Sequence, residues 1–300
     1  MAERQTFVKM HGSGNDFVMF DARVTRPTEW SRASLSHLCD RRQGVGADGV
    51  IFISHDGDAV RMHYFNSDGS SAPVCGNGLL CTARWAVEHA VLKGPLVQVL
   101  AGSHTYWANV EDKSNSVALQ VPDIPLPRRV ENVAARQGEL AVYFTDVGVP
   151  VAVVLVDNSA VIDLHGRGRE LRFDTRLSPT GANVNFVSAT PNAESGAFSM
   201  RTYERGIEGE TFACGTGAIA SAATLLLTGR SPLAPVRFST QSGYELAVEG
   251  SISGKLFANL RLIGSAVSVY SGELAPQFGL DKEQPGSLAF DPCRGAMCDD

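Results

Sequence analysis

The chain has 300 residues, 44% of them apolar and 19% charged: enough to bury a core in each of two ordinary domains, and far from a disordered composition. A formal charge of −6 argues against general nucleic-acid binding, because no broad basic surface is implied. No apolar run approaches the ~20 residues needed to span a bilayer, and the opening residues hold no apolar segment of signal-peptide length. The sequence therefore predicts a cytoplasmic protein with reduced thiols, bound to neither nucleic acid nor membrane.

In chain order, a short strand from Phe7 leads into His11-Gly12-Ser13-Gly14-Asn15-Asp16 and a second strand at 17–20. A helix is predicted over 31–40. Gly44-Val45-Gly46-Ala47-Asp48-Gly49 formally fits a G-x-G-x-x-G pattern, but a strand at 50–54 follows it and not the helix that a dinucleotide site requires. Strands are expected at 61–65, in 97–110 and at 116–121. Pro122-Asp123-Ile124-Pro125-Leu126-Pro127 reads as a linker, because three prolines in six residues resist both helix and ladder. Further strands are predicted at 139–144, 151–156, 184–188, 200–203, 236–240, 244–249, 256–263 and 267–270. The basic stretch His165-Gly166-Arg167-Gly168-Arg169-Glu170-Leu171-Arg172 reads as a solvated loop. The division this suggests is an N-terminal lobe over 1–122, completed by a strand near 265–275, a C-terminal lobe over 123–264, and a loose tail over 276–300.

Two cysteines dominate the chemistry. Cys75-Gly76-Asn77-Gly78 and Cys214-Gly215-Thr216-Gly217 each open a helix-like run, so both thiols stand where unpaired N–H groups and the helix dipole favour negative charge. Such a position turns a thiol into a usable base. Around them, Met62-His63-Tyr64-Phe65-Asn66 and Arg201-Thr202-Tyr203-Glu204-Arg205 lead through polar loops into the two cysteines, so both halves run strand, loop, cysteine, helix. Two thiols in matching settings suit racemisation at an amino-acid Cα, where one group removes a proton and another returns one on the opposite face. The N–H groups of Gly76-Asn77 and Gly215-Thr216 would receive the substrate carboxylate as charge develops on it. Cys39 and Cys81 read as buried apolar residues, and Cys293 and Cys298 as incidental to the tail. With no Cys-x-x-Cys, no metal site is expected.

The residues His11 to Phe17, Gly46-Ala47-Asp48-Gly49, Asn66-Ser67-Asp68-Gly69-Ser70, Cys75 to Gly78, Asn183-Val184-Asn185, and Glu204-Arg205-Gly206 through to Gly217 together resemble the diaminopimelate epimerase family. Order and spacing agree from about residue 7 to residue 270. The resemblance implies that Cys75 and Cys214 are the acid–base pair, with Cys75 the donor and Cys214 the acceptor by the family's convention. It implies that Asn15, Asn66, Asn185, Glu204 and Arg205, with the amides of Gly76, Asn77, Gly215 and Thr216, bind the substrate diaminopimelate. The implied fold is α+β: two pseudo-symmetric lobes, each a curved barrel-like sheet around a central helix, with the active site in the cleft between them. The resemblance further implies a homodimer without pyridoxal phosphate, other cofactor or metal, serving lysine and peptidoglycan precursor synthesis. Three positions depart from the family pattern: Pro73-Val74 before the first cysteine, Leu80 in place of Arg, and Gly148-Val149-Pro150-Val151 in place of Gly-Asn-Pro-His. Two other functions stay open on the residues: racemisation of another amino acid such as histidine, and amino-acid binding without catalysis.

Overall fold

The structure, a computed structural model, describes residues 5–189, 197–232, 234–275 and residue 278. It divides into two compact units, Met1–Val117 with Ala266–Asp300, and Ala118–Ser265. Cys293 and Cys298, and the tail expected from 276 apart from Phe278, lie outside the described residues.

The first unit holds strands β1 (Thr6–Gly12) and β2 (Asn15–Asp21), helix α1 (Arg32–Cys39), β3 (Gly49–Asp56), β4 (Ala59–Asn66), the short β5 (Ser71–Ala72), helix α2 (Gly76–Glu88), β6 (Leu96–Ala101) and β7 (His104–Val110). Strand β8 (Ser116–Gln120) carries the chain into the second unit. That unit holds β9 (Ile124–Pro125), β10 (Arg128–Arg129), β11 (Glu139–Asp146), β12 (Pro150–Val156), helix α3 (Arg169–Arg172), β13 (Asn183–Ala189), β14 (Phe198–Glu204), β15 (Gly209–Thr211), helix α4 (Gly215–Leu227), β16 (Val236–Ser239) and β17 (Glu245–Ser253). Strand β18 (Leu256–Glu273) returns the chain to the first unit.

The two units repeat one topology. In the first, β1 pairs antiparallel with β2, β2 parallel with β3, β3 antiparallel with β4, β4 parallel with β6, and β6 antiparallel with β7. In the second, β11, β12, β13, β14, β16 and β17 alternate antiparallel and parallel in the same order. Short β5 and β15 pair with the strands before them and deliver the chain to Cys75 and Cys214. Helix α2 packs on β1, β3, β4, β6 and β7, reaching both ends of that strand series, so its sheet must curl around the helix. Helix α4 is packed likewise on β11, β12, β13 and β17. The run Ala218 to Leu225 is buried at every position, which is the composition of a helix enclosed on all sides. Its side chains join Val151, Val153, Phe238, Leu246 and Leu262 in one apolar cluster. The fold is thus α+β with two lobes, each a barrel-like sheet about a central helix.

Three expectations change. Residues 256–263 and 267–270 form one strand, because neither proline nor turn interrupts 264–266 and β18 simply exchanges β17 for β1 as its partner. The proline segment holds β9, whose Ile124 is buried in the α4 cluster and pairs with Phe257. The basic stretch is no solvated loop. It forms a π turn over Leu164–Gly168 followed by α3, in which Arg167 is buried against Glu139 and Glu170, and Arg172 against Glu208.

Candidate active site

The N-terminal cysteine precedes α2 as its N-cap, with extended backbone (φ −140°, ψ 121°). The tight approach at this point comes from Gly12, where an added Cβ would stand 2.6 Å from the Asn77 carbonyl oxygen. Only a glycine lets the β1–β2 hairpin press on the first turn of α2. That hairpin presents Asn15, and the half-buried Cys75 Sγ donates to Asn15 Oδ1 at 3.8 Å. Asn15 Nδ2 in turn donates to Asp48 Oδ2 at 2.8 Å. Asn66 ends β4 and closes its own loop, with Nδ2 donating to Ser70 Oγ at 3.0 Å. Gly76 is half-buried and Asn77 buried in the first turn of the helix. His11 Nδ1 accepts from the Gly14 amide at 3.3 Å, and burial holds its imidazole below the usual range although Asp16 pulls the other way.

Behind Asn15 lies a charged cluster. Lys9 Nζ meets Asp16 Oδ2 at 2.7 Å, and Arg41 bridges Asp16 Oδ1 at 2.7 Å and Asp48 Oδ1 at 2.8 Å. Burial pushes the Asp16 carboxyl up, but hydrogen bonds and charge from Arg41 and Lys9 overcome it and hold the group at about 2. Asp48 is not among the candidate site residues of the sequence. Its signal was the motif Gly46-Ala47-Asp48-Gly49, whose strand context had already excluded a dinucleotide loop.

The second cysteine caps α4 with the same extended backbone (φ −128°, ψ 109°) but different partners. Cys214 is buried, its Sγ accepting from the Gly217 amide at 3.4 Å and lying 3.4 Å from Thr216 Oγ1. Asn185 is fully buried beneath this turn. Its Oδ1 accepts from Thr202 Oγ1 at 2.7 Å, and Nδ2 donates to the Ala152 carbonyl at 3.5 Å. Glu204 and Arg205 are half-buried at the end of β14. Their loop is tied at three points: the Arg205 amide to Asn183 Oδ1 at 2.9 Å, the Glu208 amide to the Glu204 carbonyl at 2.8 Å, and Arg172 Nε to Glu208 Oε1 at 3.0 Å. Neither Asn183, which lies in the Asn183-Val184-Asn185 motif, nor Arg172, which lies in the basic stretch, is a candidate site residue from sequence. The structure therefore gathers Asn15, Gly76 and Asn77 about Cys75, with Asn66 in the loop before it. Asn185, Gly215 and Thr216 stand about Cys214, with Glu204 and Arg205 on a braced loop.

The other described cysteines are inert by environment. Burial pushes the Cys39 thiol up to about 12, and burial likewise raises Cys81 well above the ordinary range. Among the described residues, no group of three or more His, Cys, Asp or Glu is placed to hold a metal, and no helix is long and apolar enough to cross a membrane.

A family model described as diaminopimelate epimerase matches residues 7–121 and 143–256. The diaminopimelate epimerase of Gemmatimonas aurantiaca is 36% identical over 289 residues, covering 90% of this chain and 99% of that protein. That of Flavobacterium psychrophilum is 34% identical, covering 87% and 97%. The chain belongs to the diaminopimelate epimerase family. A solved structure of a phenazine biosynthesis protein of the PhzF family from Bacillus anthracis shares the fold at 14% identity, with a TM-score of 0.64 over 91% of this chain and 99% of that one.

Within the family frame, the Val149-Pro150-Val151 departure has a definite surrounding. Val151 is fully buried and belongs to the apolar cluster around α4, while Val149 packs on that cluster's edge. Where the diaminopimelate epimerase pattern has an imidazole, this chain has a hydrocarbon wall. The α4 turn itself brings polar contacts to Cys214, through Gly217 and Thr216.

Proposed function

We propose that this protein is a diaminopimelate epimerase, interconverting the LL and meso isomers by proton transfer between Cα and two thiols. The family membership and near-complete coverage of curated diaminopimelate epimerases support the activity. The observation that carries the mechanism is the pair of cysteines capping two topologically equivalent helices.

In this reading the α-carboxylate is received by the first-turn amides, Gly76 and Asn77 on one helix and Gly215 and Thr216 on the other, where aligned peptide dipoles oppose the charge that builds as Cα loses its proton. One sulfur, as thiolate, takes that proton: the Cα–H bond breaks and an S–H bond forms. The other, as thiol, gives its proton to the opposite face of Cα, and its electron pair stays on sulfur. Each turnover exchanges the protonation of the two sulfurs, so the reverse reaction uses them in swapped roles. Cys214, with an amide N–H and a hydroxyl at its sulfur, is the better placed to begin as thiolate. Asn15, Asn66, Glu204 and Arg205 are assigned to binding the two amino and two carboxyl groups of the substrate. Asn185 acts from beneath, fixing the Cys214 turn.

The test is to incubate reduced enzyme with LL-diaminopimelate and resolve the isomers by chiral chromatography, with histidine run in parallel. Meso product without histidine racemisation supports the assignment; racemised histidine with untouched diaminopimelate would replace the substrate. A cytoplasmic homodimer belongs to the same reading, and light scattering at micromolar concentration tests the dimer.

A further inference from the structure

Asn15 stands between Cys75 and Asp48. Its Nδ2 donates to Asp48 Oδ2 at 2.8 Å while its Oδ1 accepts from Cys75 Sγ at 3.8 Å. An ionised carboxylate can only accept hydrogen bonds, so the NH₂ end of the amide must face Asp48 and the carbonyl end must face the sulfur. Asp48 is itself fixed: Arg41 holds Oδ1 at 2.8 Å, the Asp16 amide donates to Oδ2 at 3.3 Å, and the Asp48 amide donates back to Asp16 Oδ1 at 3.0 Å.

We propose that Asp48 is a positioning residue that locks the Asn15 carbonyl onto Cys75 and so holds Cys75 as the proton-bearing member of the pair. The proposal rests on the two-thiol reading above and adds to it the device that makes two similar helix-capping sulfurs differ. A carbonyl oxygen accepts from S–H and repels S⁻. A flipped amide would present N–H and favour the thiolate instead. Cys214 has the opposite surroundings, an amide N–H and a hydroxyl, and Cys75 makes no capping hydrogen bond to its own helix.

Titratable groups on this side include, among the described residues, the Lys9, Asp16 and Arg41 cluster behind Asp48, His11 across the hairpin, and Cys81 within α2. Lys9 and Arg41 carry charges opposite to the two aspartates, and burial raises the Cys81 thiol, so the orientation of the Asn15 amide is a contact that acts directly on the Cys75 sulfur.

The experiment is iodoacetamide alkylation of the full-length reduced protein across pH, with Cys75 and Cys214 followed separately by peptide mass spectrometry. Asp48→Asn can turn its own NH₂ towards Asn15, which frees the Asn15 amide to flip. The expected result is a Cys75 alkylation midpoint lower by about one pH unit, hence roughly tenfold faster alkylation below the midpoint, with the Cys214 profile unmoved. In an Asn15→Ala background, Asp48→Asn should shift the Cys75 midpoint by less than about 0.3 unit. An equal shift in both backgrounds means that Asp48 acts by charge alone and overturns the proposal, as does an unmoved midpoint in folded Asp48→Asn. Should circular dichroism show Asp48→Asn unfolded, Asp48→Glu keeps the charge but displaces the carboxylate, and the same downward shift is required of it. Alkylation needs no substrate. A protein that left diaminopimelate unchanged yet showed this coupled shift would remove the substrate assignment and leave the Asp48 lock standing.

Discussion

Asn185 Oδ1 lies so close beneath Gly217 that a Cβ added to the glycine would stand 2.1 Å from it. The amide carbonyl of one residue thus sets how closely the first turn of α4 can approach β13, and with it where the Gly217 N–H meets the Cys214 sulfur. At the equivalent Gly78 of α2 the nearest atom to such a Cβ is Ile51 Cδ1 at 3.0 Å, the end of a flexible side chain.

Gly217→Ala should therefore cost far more than Gly78→Ala. A Cβ driven into a fully buried, hydrogen-bonded amide must displace the helix start, an overpacking cost of about 1–3 kcal/mol. Thermal melts of the two variants check it: Gly217→Ala should melt several degrees lower and lose activity, and equal melts would show that the turn has slack.

Thr216 is expected to support the Cys214 thiolate through its hydroxyl, which lies 3.4 Å from the sulfur. Thr216→Val keeps the shape and removes the donor, so alkylation of Cys214 at neutral pH should slow by roughly three- to tenfold, the value of one ordinary hydrogen bond, in keeping with the long contact. Unchanged alkylation would show that the Thr216 hydroxyl contributes nothing to its activation.

The Asp16 cluster predicts acid sensitivity of a definite sign. Its folded-state carboxyl, held at about 2, lies below the ordinary 3.8, so its contribution is fully present above about pH 4 and is lost as pH falls through 2. Arg41 is 59% exposed, and screening by solvent there keeps the contribution on the order of 1 kcal/mol. Urea midpoints measured from pH 5 to pH 2 should fall less steeply for Asp16→Asn than for the wild type; parallel curves would contradict the pairing.

Val151→His restores the family residue but places an imidazole in the fully buried cluster around α4. Without a partner for its ring nitrogens this should destabilise by about 1–3 kcal/mol without raising the rate. A faster variant at unchanged melting temperature would show that position 151 faces the reacting atoms.

Much of this arrangement could be read from the residues. Cysteine followed by two spaced glycines announces a capped helix start, and the flanking alternation marks the strands that carry it. Other features have no local signal. Asn183 and Asn185 share one parity on β13, so periodicity cannot tell that the first reaches the Arg205 amide while the second lies under Gly217. The arginines at 167 and 172 look solvated until Glu139 and Glu208, distant in sequence, are brought to them. The continuity of β18 was hidden because a strand that changes partners part-way looks in sequence like two strands.

The two-thiol mechanism proposed above routes the Cα proton through Cys75 and Cys214. Its most direct test is proton NMR of LL-diaminopimelate in D₂O with reduced wild type, Cys75→Ala and Cys214→Ala. Cα deuteration together with meso product is expected for the wild type, and loss of epimerisation in both variants with their folds intact. Absence of Cα exchange from folded, reduced wild type, or undiminished epimerisation by either variant, would contradict it.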